Sequence, residues 1–180
     1  MVLHQARHSG RVRYSSGHGL AKRSDRLRAT RTNPTVLGEL ESGYAVIGDP
    51  QFLPGYCLLL SKDPTATALS DLRRADRIQF LSDMDLLATA VERACRAEDA
   101  AFLRVNLEVL GNMDSYVHAH IFPRYHWEAD DMRFRPVWHY APERWDEPST
   151  LLSSEQDTLR ERISGELRDL VNVADTDARK

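Results

Sequence analysis

The alternating run from Tyr116 to Phe122, Tyr-Val-His-Ala-His-Ile-Phe, constrains this chain more than any other feature. Side chains two residues apart share one face of a β-strand, so His118 and His120 share a face with Tyr116 and Phe122. The intervening apolar residues form the opposite face. Imidazole suits nucleophilic and proton-transfer chemistry near neutral pH, and paired histidines also bind metals. The run therefore predicts a strand that carries a catalytic or metal-binding histidine pair.

Three further strands are predicted around this one. Short apolar runs at 44–47 and 56–60 are bracketed by Gly, Asp and Pro, which is typical of two strands joined by a loop. Residues 103–109 alternate between apolar and polar side chains and then turn back into the histidine strand. This hairpin would place Asn106 on the face away from the aliphatic residues and would return Asn106 and Asn112 close to the histidines.

Two helices are predicted from apolar residues that recur at three- and four-residue steps. The longer helix spans Ala75–Glu98, and the second lies between Leu159 and Ala174, with Ser153 or Ser154 as its cap. The apolar stripe of the longer helix comprises Ile78, Leu81, Met84, Leu87, Ala88, Val91, Ala94 and Cys95. The predicted fold is α+β: an antiparallel sheet with a long helix packed on it and a C-terminal amphipathic helix.

Charge divides the chain unevenly. The 180 residues carry a formal net charge of −3, but residues 1–34 hold eight basic residues and one acid (+7), leaving 16 basic and 26 acidic residues (−10) elsewhere. The segment has few large apolar side chains, so we expect a disordered basic extension. A mitochondrial transit peptide and a loose nucleic-acid contact are the alternatives. The remainder divides into a folded domain at 35–148 and a C-terminal helix and tail at 149–180.

The composition also indicates the cellular location that we expect for this protein. No apolar stretch is long enough for a signal peptide or a membrane span, so we expect a cytoplasmic location and no membrane partner. Cys57 and Cys95 stand isolated, one in a strand pattern and one in a helix pattern. They are predicted to be small buried apolar residues in a reducing compartment, and neither a disulfide nor a zinc site is expected.

Several motifs, taken in order, resemble the histidine-triad (HIT) superfamily of nucleotide hydrolases and transferases. Asn106, the pair Gly111-Asn112 and the run from Tyr116 to Tyr125 match its signature. The block Pro54-Gly55-Tyr56, followed by apolar residues, is similar to its Pro-Gly-His strand. The likeness covers residues 36–145 and is strongest to the dinucleoside-polyphosphate (Ap4A-type) hydrolases. It implies that the domain at 35–148 is a HIT-like nucleotide-binding domain.

The resemblance also implies a mechanism. His118 matches the family's nucleophile, which forms a nucleotidyl-histidine intermediate that water then hydrolyses. His120 matches the third triad position, where transferases tend to have glutamine, so hydrolysis is favoured. The expected substrates are dinucleoside polyphosphates or related nucleotidyl compounds, cleaved at a phosphoric anhydride or phosphoramidate bond. The first triad position holds Tyr116 instead of histidine, which leaves the nucleophile in place and changes its surroundings.

The nucleotide-binding candidates come from the same resemblance. Asn106, Gly111 and Asn112 would contact the phosphate; ordinary turn chemistry also explains asparagine at such positions. Asp49 occupies the region of the ribose-contacting loop, with a spacing one residue off. Arg124 fits either a contact with substrate phosphates or a surface ion pair. Trp127, Trp138 and Trp145 suit closing a pocket, a dimer surface or plain packing.

No cofactor or resident metal is required for this chemistry, although a polyphosphate substrate can bring Mg²⁺. Three alternatives stand beside the hydrolase. One is a phosphorylase or nucleotidyltransferase of the same family. Another is a metalloenzyme in which His126 or His139 joins the histidine pair. The third is a non-catalytic nucleotide-binding protein. The expected partner is a small nucleotide substrate, with no specific nucleic acid, and the resemblance also allows a homodimer.

Overall fold

The structure, a computed structural model, describes residues 35–112 and 114–177; the predicted basic extension at 1–34 lies outside them. A five-stranded antiparallel sheet forms the centre. Its strands are β1 Val36–Glu39, β2 Gly43–Ile47, β3 Cys57–Ser61, β4 Phe102–Glu108 and β5 His118–Tyr125. Their spatial order is β1-β2-β3-β5-β4, so the histidine strand β5 lies between β3 and the edge strand β4. The α+β fold predicted from the sequence is confirmed.

Helices cover one face of this sheet. The helices are α1 Arg74–Glu98, a short α2 Asp130–Arg133, and α3 Asp157–Asp177. Ala119 and Ile121 of β5 are fully buried, as are Cys57 and Leu59 of β3, on the face that α1 covers. Both cysteines are buried and free, as expected. Among the described residues, no helix combines the length and apolar composition needed to cross a membrane.

The first turns of α1 correct the predicted apolar stripe. Ile78 and Leu81 are 50% and 38% exposed, whereas Phe80 and Asp83 are buried. Asp83 belongs inside because its carboxylate accepts hydrogen bonds from the amide and hydroxyl of Ser42, at 2.7 and 2.6 Å. These bonds satisfy a buried charge and rotate the core-facing side of the helix away from the stripe that apolar spacing indicated. The later part of the stripe, from Leu87 onwards, is buried as predicted.

The C-terminal helix belongs to the same core. Ile163 and Leu167 of α3 are buried with the residues of the sheet and α1. Ser164 Oγ donates to the backbone carbonyl of Leu37, at 2.6 Å, and so ties α3 to β1. Ser153, one of the two predicted caps, forms a capping box with Gln156 on the turn that leads into α3.

The loop between β2 and β3 is held by one buried glutamine. The side-chain amide of Gln51 donates to the carbonyls of Gly48 and Tyr56 at 2.7 and 2.9 Å, and its Oε1 accepts from the Gly55 amide at 2.8 Å. Gly55 has φ of +87°, and a Cβ there would lie 2.5 Å from the Cys95 sulfur. The loop therefore requires glycine at this point and fixes Tyr56 where it enters β3.

Candidate functional site

The strand register decides which side chains meet on the face that the helices leave free. Residues directly opposite one another on neighbouring strands share a face. His120 lies opposite Glu108 of β4 and Leu58 of β3. Asn106 shares this face, as predicted, but it lies opposite Phe122. Glu108 is therefore the β4 residue beside the histidine pair, a position that the spacing in the sequence did not specify.

His118 is held in one tautomer by the backbone of its own strand. Its Nδ1 lies 2.6 Å from the carbonyl oxygen of Tyr116. A carbonyl only accepts hydrogen bonds, so Nδ1 carries the proton and Nε2 keeps a free lone pair. The residue is 4% exposed. Burial lowers its pKa from 6.5, against the opposing effect of this hydrogen bond, so the ring is neutral at pH 7.

Tyr116 acts as a structural bridge between strands. Its hydroxyl donates to the backbone carbonyl of Ser61 at the end of β3, and the ring is 2% exposed. The amide of Ser61 donates to the carbonyl of Val117 at 3.1 Å, so two hydrogen bonds join the segment leading into β5 to β3. The hydrogen bond that orients His118 uses only the Tyr116 backbone, and that orientation does not require a histidine side chain at 116.

His120 is enclosed by aromatic rings. The Tyr56 hydroxyl lies 2.8 Å from its Nδ1, and the Phe122 ring stacks 5.4 Å from it. Burial and the neighbouring His118, whose ring centroid is 4.7 Å away, lower the pKa of His120 to about 3. His120 is therefore neutral at physiological pH. If the tyrosine hydroxyl donates to Nδ1, His120 presents an N–H at Nε2 and is a hydrogen-bond donor towards a ligand.

Two stacked tryptophans lie against His120 and Phe122. The Trp138 ring meets His120 edge-on with centroids 5.1 Å apart, and the Trp145 ring stacks on Trp138 with centroids 4.8 Å apart. The Trp138 indole N–H also donates to the Glu108 carboxylate. The third tryptophan, Trp127, lies elsewhere, stacked on Tyr125 at 4.8 Å. We refer to residues 129–152, which carry Trp138 and Trp145, as the cover segment.

A buried ion pair anchors the cover segment. Arg124 and Glu128 meet at 2.8 Å with side chains 2% and 0% exposed, where the sequence suggested a surface ion pair or a phosphate contact. The guanidinium also donates to the backbone carbonyls of Met132 and Arg135, at 2.7 and 2.8 Å. Glu128 accepts in addition from the Tyr140 hydroxyl, at 2.7 Å. Because its guanidinium donates hydrogen bonds to Glu128 and to the cover segment, Arg124 has a structural role.

The residues predicted to contact the phosphate and the ribose lie in separate parts of the structure. Asn106 is half-buried on the histidine face, whereas Gly111 and Asn112 lie in the exposed turn after β4. Asp49 is exposed, and its carboxylate accepts the backbone amide of Leu152 at 2.9 Å, which pins the end of the cover segment. Within residues 35–112 and 114–177, no group of three or more His, Cys, Asp or Glu side chains is arranged to hold a metal ion. His126 and His139 are exposed.

Two residues of the site escape sequence reasoning as functional groups. Tyr56 enters the sequence prediction only as part of a Pro-Gly-Tyr block, although its hydroxyl contacts His120. The sequence offers one clue to this role: Tyr56 carries a hydroxyl group and lies at the start of a strand, and that strand pairs with the histidine strand. Glu108 gives no such sign, since a glutamate on an alternating strand is ordinary, and its contact with Trp138 depends on the cover segment.

Comparisons with known proteins agree with this fold. The HIT domain model matches residues 30–127, more than half of the chain. A histidine triad protein from Sinorhizobium meliloti has a similar structure, with a TM-score of 0.60 and 19% identity over 79% of this chain and 93% of that chain. A histidine triad protein from Marinobacter aquaeolei is similar at a TM-score of 0.60 and 20% identity, over 81% of this chain and 95% of that chain.

A hypothetical histidine triad nucleotide-binding protein from Sulfolobus tokodaii is similar at a TM-score of 0.58 and 15% identity, over 84% of this chain and 93% of that chain. No curated protein matches the sequence. At these identities the solved structures support the fold alone, and the family assignment comes from the domain match, which includes β1 to β5. The chain belongs to the HIT domain family.

Proposed function

We propose that this protein hydrolyses dinucleoside polyphosphates, or related nucleotidyl compounds, through a nucleotidyl-histidine intermediate on His118. The observation that carries the proposal is the 2.6 Å hydrogen bond from His118 Nδ1 to the Tyr116 carbonyl. It leaves a neutral imidazole with its Nε2 lone pair available for attack. Membership of the HIT family, together with the nucleotide-binding description of the Sulfolobus tokodaii neighbour, supports a nucleotide as the ligand.

The reaction would proceed in two displacements. In the first, His118 Nε2 forms a bond to the α-phosphorus while the bond from that phosphorus to the leaving oxygen or nitrogen breaks. The leaving group takes the electron pair, and His120 would donate a hydrogen bond to it. In the second, water attacks the same phosphorus and the N–P bond breaks, which releases a nucleoside monophosphate and restores the imidazole. Dividing one difficult substitution in this way lowers the barrier of each step.

The remaining predicted groups would hold the phosphate. The side-chain amides of Asn106 and Asn112 would donate to phosphate oxygens, and such donors contribute about 10²–10³ each in rate when they are aimed at developing charge. Gly111 has no side chain to obstruct a phosphate near the backbone. Asp49 would have to exchange its hydrogen bond with Leu152 for a ribose hydroxyl. A polyphosphate substrate would bring any Mg²⁺ with it.

Incubation with diadenosine tetraphosphate in ¹⁸O-labelled water tests the proposal. We expect the wild type to produce AMP and ATP, with the label in AMP, and His118→Ala to produce neither. His139→Ala is the matched control, since it removes an exposed histidine outside the pair and is expected to retain activity. Cleavage by His118→Ala at the wild-type rate, or label only in ATP, would refute attack by this residue on the α-phosphorus.

A second candidate is nucleotide binding without turnover. It is favoured by the burial of the pair: His118 and His120 are only 4% and 7% exposed, and the Trp138 ring lies against His120. This candidate predicts that AMP binds equally to the wild type and to His118→Ala, measured by calorimetry, with no cleavage by either. A phosphorylase of the same family would instead form ADP when inorganic phosphate is added, and the same chromatogram detects it.

A further inference from the structure

A cleft of about 740 Å³ opens on the histidine face beside the edge strand β4. Asn106 and Glu108 line it from β4, and residues 133–136 of the cover segment line it from the other side. Glu108 lies opposite His120, and directly opposite residues on neighbouring strands have Cβ atoms about 4.5–5.5 Å apart. The cleft therefore begins one strand away from the proposed nucleophile and its neighbour.

Arginines dominate the lining of this cleft. Of its four arginines, Arg124 and Arg133 each form an ion pair with a carboxylate nearby. Arg104 and Arg135 are exposed, and neither guanidinium has a hydrogen-bond or ion-pair partner among residues 35–112 and 114–177. Glu108 is the one carboxylate in the lining, and it accepts the Trp138 indole N–H. Arg104 and Arg135 therefore line a cleft beside the histidines with guanidinium groups that are available to bind a ligand.

An exposed aromatic ring adds to the same cleft. The Phe134 side chain is 82% exposed, although it belongs to the lining. The Arg133 guanidinium lies 5.2 Å from the ring centroid. Exposure of so large an apolar group costs solvation free energy, and a flat ring in the same lining as the unpaired Arg104 and Arg135 matches a ligand that carries both a base and phosphates.

We propose that this cleft binds the leaving group of the substrate, with its polyphosphate chain on Arg104 and Arg135 and its second nucleoside on Phe134. Guanidinium groups form paired hydrogen bonds with phosphate oxygens, which a neutral leaving group cannot accept in the same way. The inference rests on the proposed function. It predicts a preference for dinucleoside polyphosphates over nucleoside phosphoramidates, whose leaving amines are small and carry no phosphate.

Binding of inorganic tripolyphosphate tests the cleft independently of catalysis. Calorimetry on the wild type, Arg104→Gln and Arg135→Gln should show affinity reduced roughly three- to tenfold by each cleft variant, in line with the loss of one charged hydrogen-bonding partner. Arg168→Gln is the control, because Arg168 is an exposed residue of α3, which packs on β1 at the edge of the sheet opposite to β4. Equal affinity in all four proteins, or no binding by any, overturns the proposal.

Kinetics then assign the cleft to the leaving group. We expect Arg104→Gln, Arg135→Gln and Phe134→Ala each to lower kcat/KM for diadenosine tetraphosphate roughly three- to tenfold. The kcat/KM for adenosine 5′-phosphoramidate should not change. Equal losses on both substrates would overturn the leaving-group assignment. If tripolyphosphate binding depends on the two arginines but neither substrate is cleaved, the anion site is supported and the proposed hydrolysis is what fails.

Discussion

Replacing Glu128 with glutamine should destabilise this protein far more than replacing a surface glutamate. Glu128 is fully buried and holds the Arg124 guanidinium, itself 2% exposed. Glutamine keeps the shape of the side chain but removes the charge, so a guanidinium that cannot be deprotonated is left buried without its counter-ion. Breaking a buried pair in this way costs about 3–5 kcal/mol. Because domains are stable by only about 5–15 kcal/mol, this loss is a large share of the total.

Urea denaturation provides the measurement, since urea does not screen charges as guanidinium chloride does. Glu92→Gln is the matched control: Glu92 and Arg96 also pair at 2.8 Å with a four-residue spacing, but their side chains are 43% and 59% exposed. An exposed pair of this kind contributes about 0.3–0.5 kcal/mol. The reasoning is refuted if Glu128→Gln and Glu92→Gln shift the midpoint by similar amounts.

A double replacement separates the contribution of the pair from the cost of leaving one partner alone. Arg124→Met with Glu128→Leu fills the same region with apolar groups and leaves no buried charge. Such exchanges are often neutral or stabilising, so we expect the double variant to be more stable than Glu128→Gln. The double variant still loses the hydrogen bonds to Met132, Arg135 and Tyr140, so the cover segment should loosen even where stability recovers.

Three further predictions concern the histidine pair. His120 has a pKa of about 3 when folded against 6.5 ordinarily, so below pH 6.5 the unfolded chain binds more protons and stability falls as the pH is lowered. At pH 5 the loss from this group is about 2 kcal/mol, so urea titrations at pH 7 and pH 5 should show a fall in stability larger by about this amount for the wild type than for His120→Asn, which keeps the smaller contribution of His118. Tyr56→Phe keeps the ring stacked on Phe122 and removes the hydroxyl, so kcat should fall about tenfold with KM unchanged. Trp138→Phe should abolish most of the change in tryptophan fluorescence on adding AMP, because Trp138 is the tryptophan that touches His120.

Elements with a regular apolar period could be predicted from the sequence. Helix α1 begins within one residue of its predicted start, and β5 follows the alternation around its histidines. The strand β1 has only four residues, Val36–Glu39, and its short run carries too few periods to stand out. The early turns of α1 differ from the predicted stripe because a hydrogen-bonded aspartate, Asp83, replaces an apolar residue in the core.

The cover segment could not be predicted, because distant contacts determine its position. Its C-terminal end is held by two such contacts: the backbone amide of Gln51 donates to the Thr150 carbonyl at 2.6 Å, and the Asp49 carboxylate accepts from the Leu152 amide. Partners a hundred residues apart leave no local pattern, and a stretch rich in Trp, Arg and Pro is equally compatible with a loop. Periodicity therefore predicts the candidate histidines, and it does not predict the tryptophan rings beside them.

The two tyrosines of the site contact the histidine pair in different ways. The tautomer of His118 depends on a backbone carbonyl, which any residue at 116 provides, and the Tyr116 side chain joins β5 to β3 instead. The Nδ1 of His120 contacts a side chain, the Tyr56 hydroxyl. A hydroxyl can rotate to donate or accept, whereas a carbonyl cannot. The proton on His118 is therefore fixed by the fold, and that on His120 is set by a single side chain. Tyr56 is thus the residue through which the hydrogen bonding of His120 can be altered without moving His118.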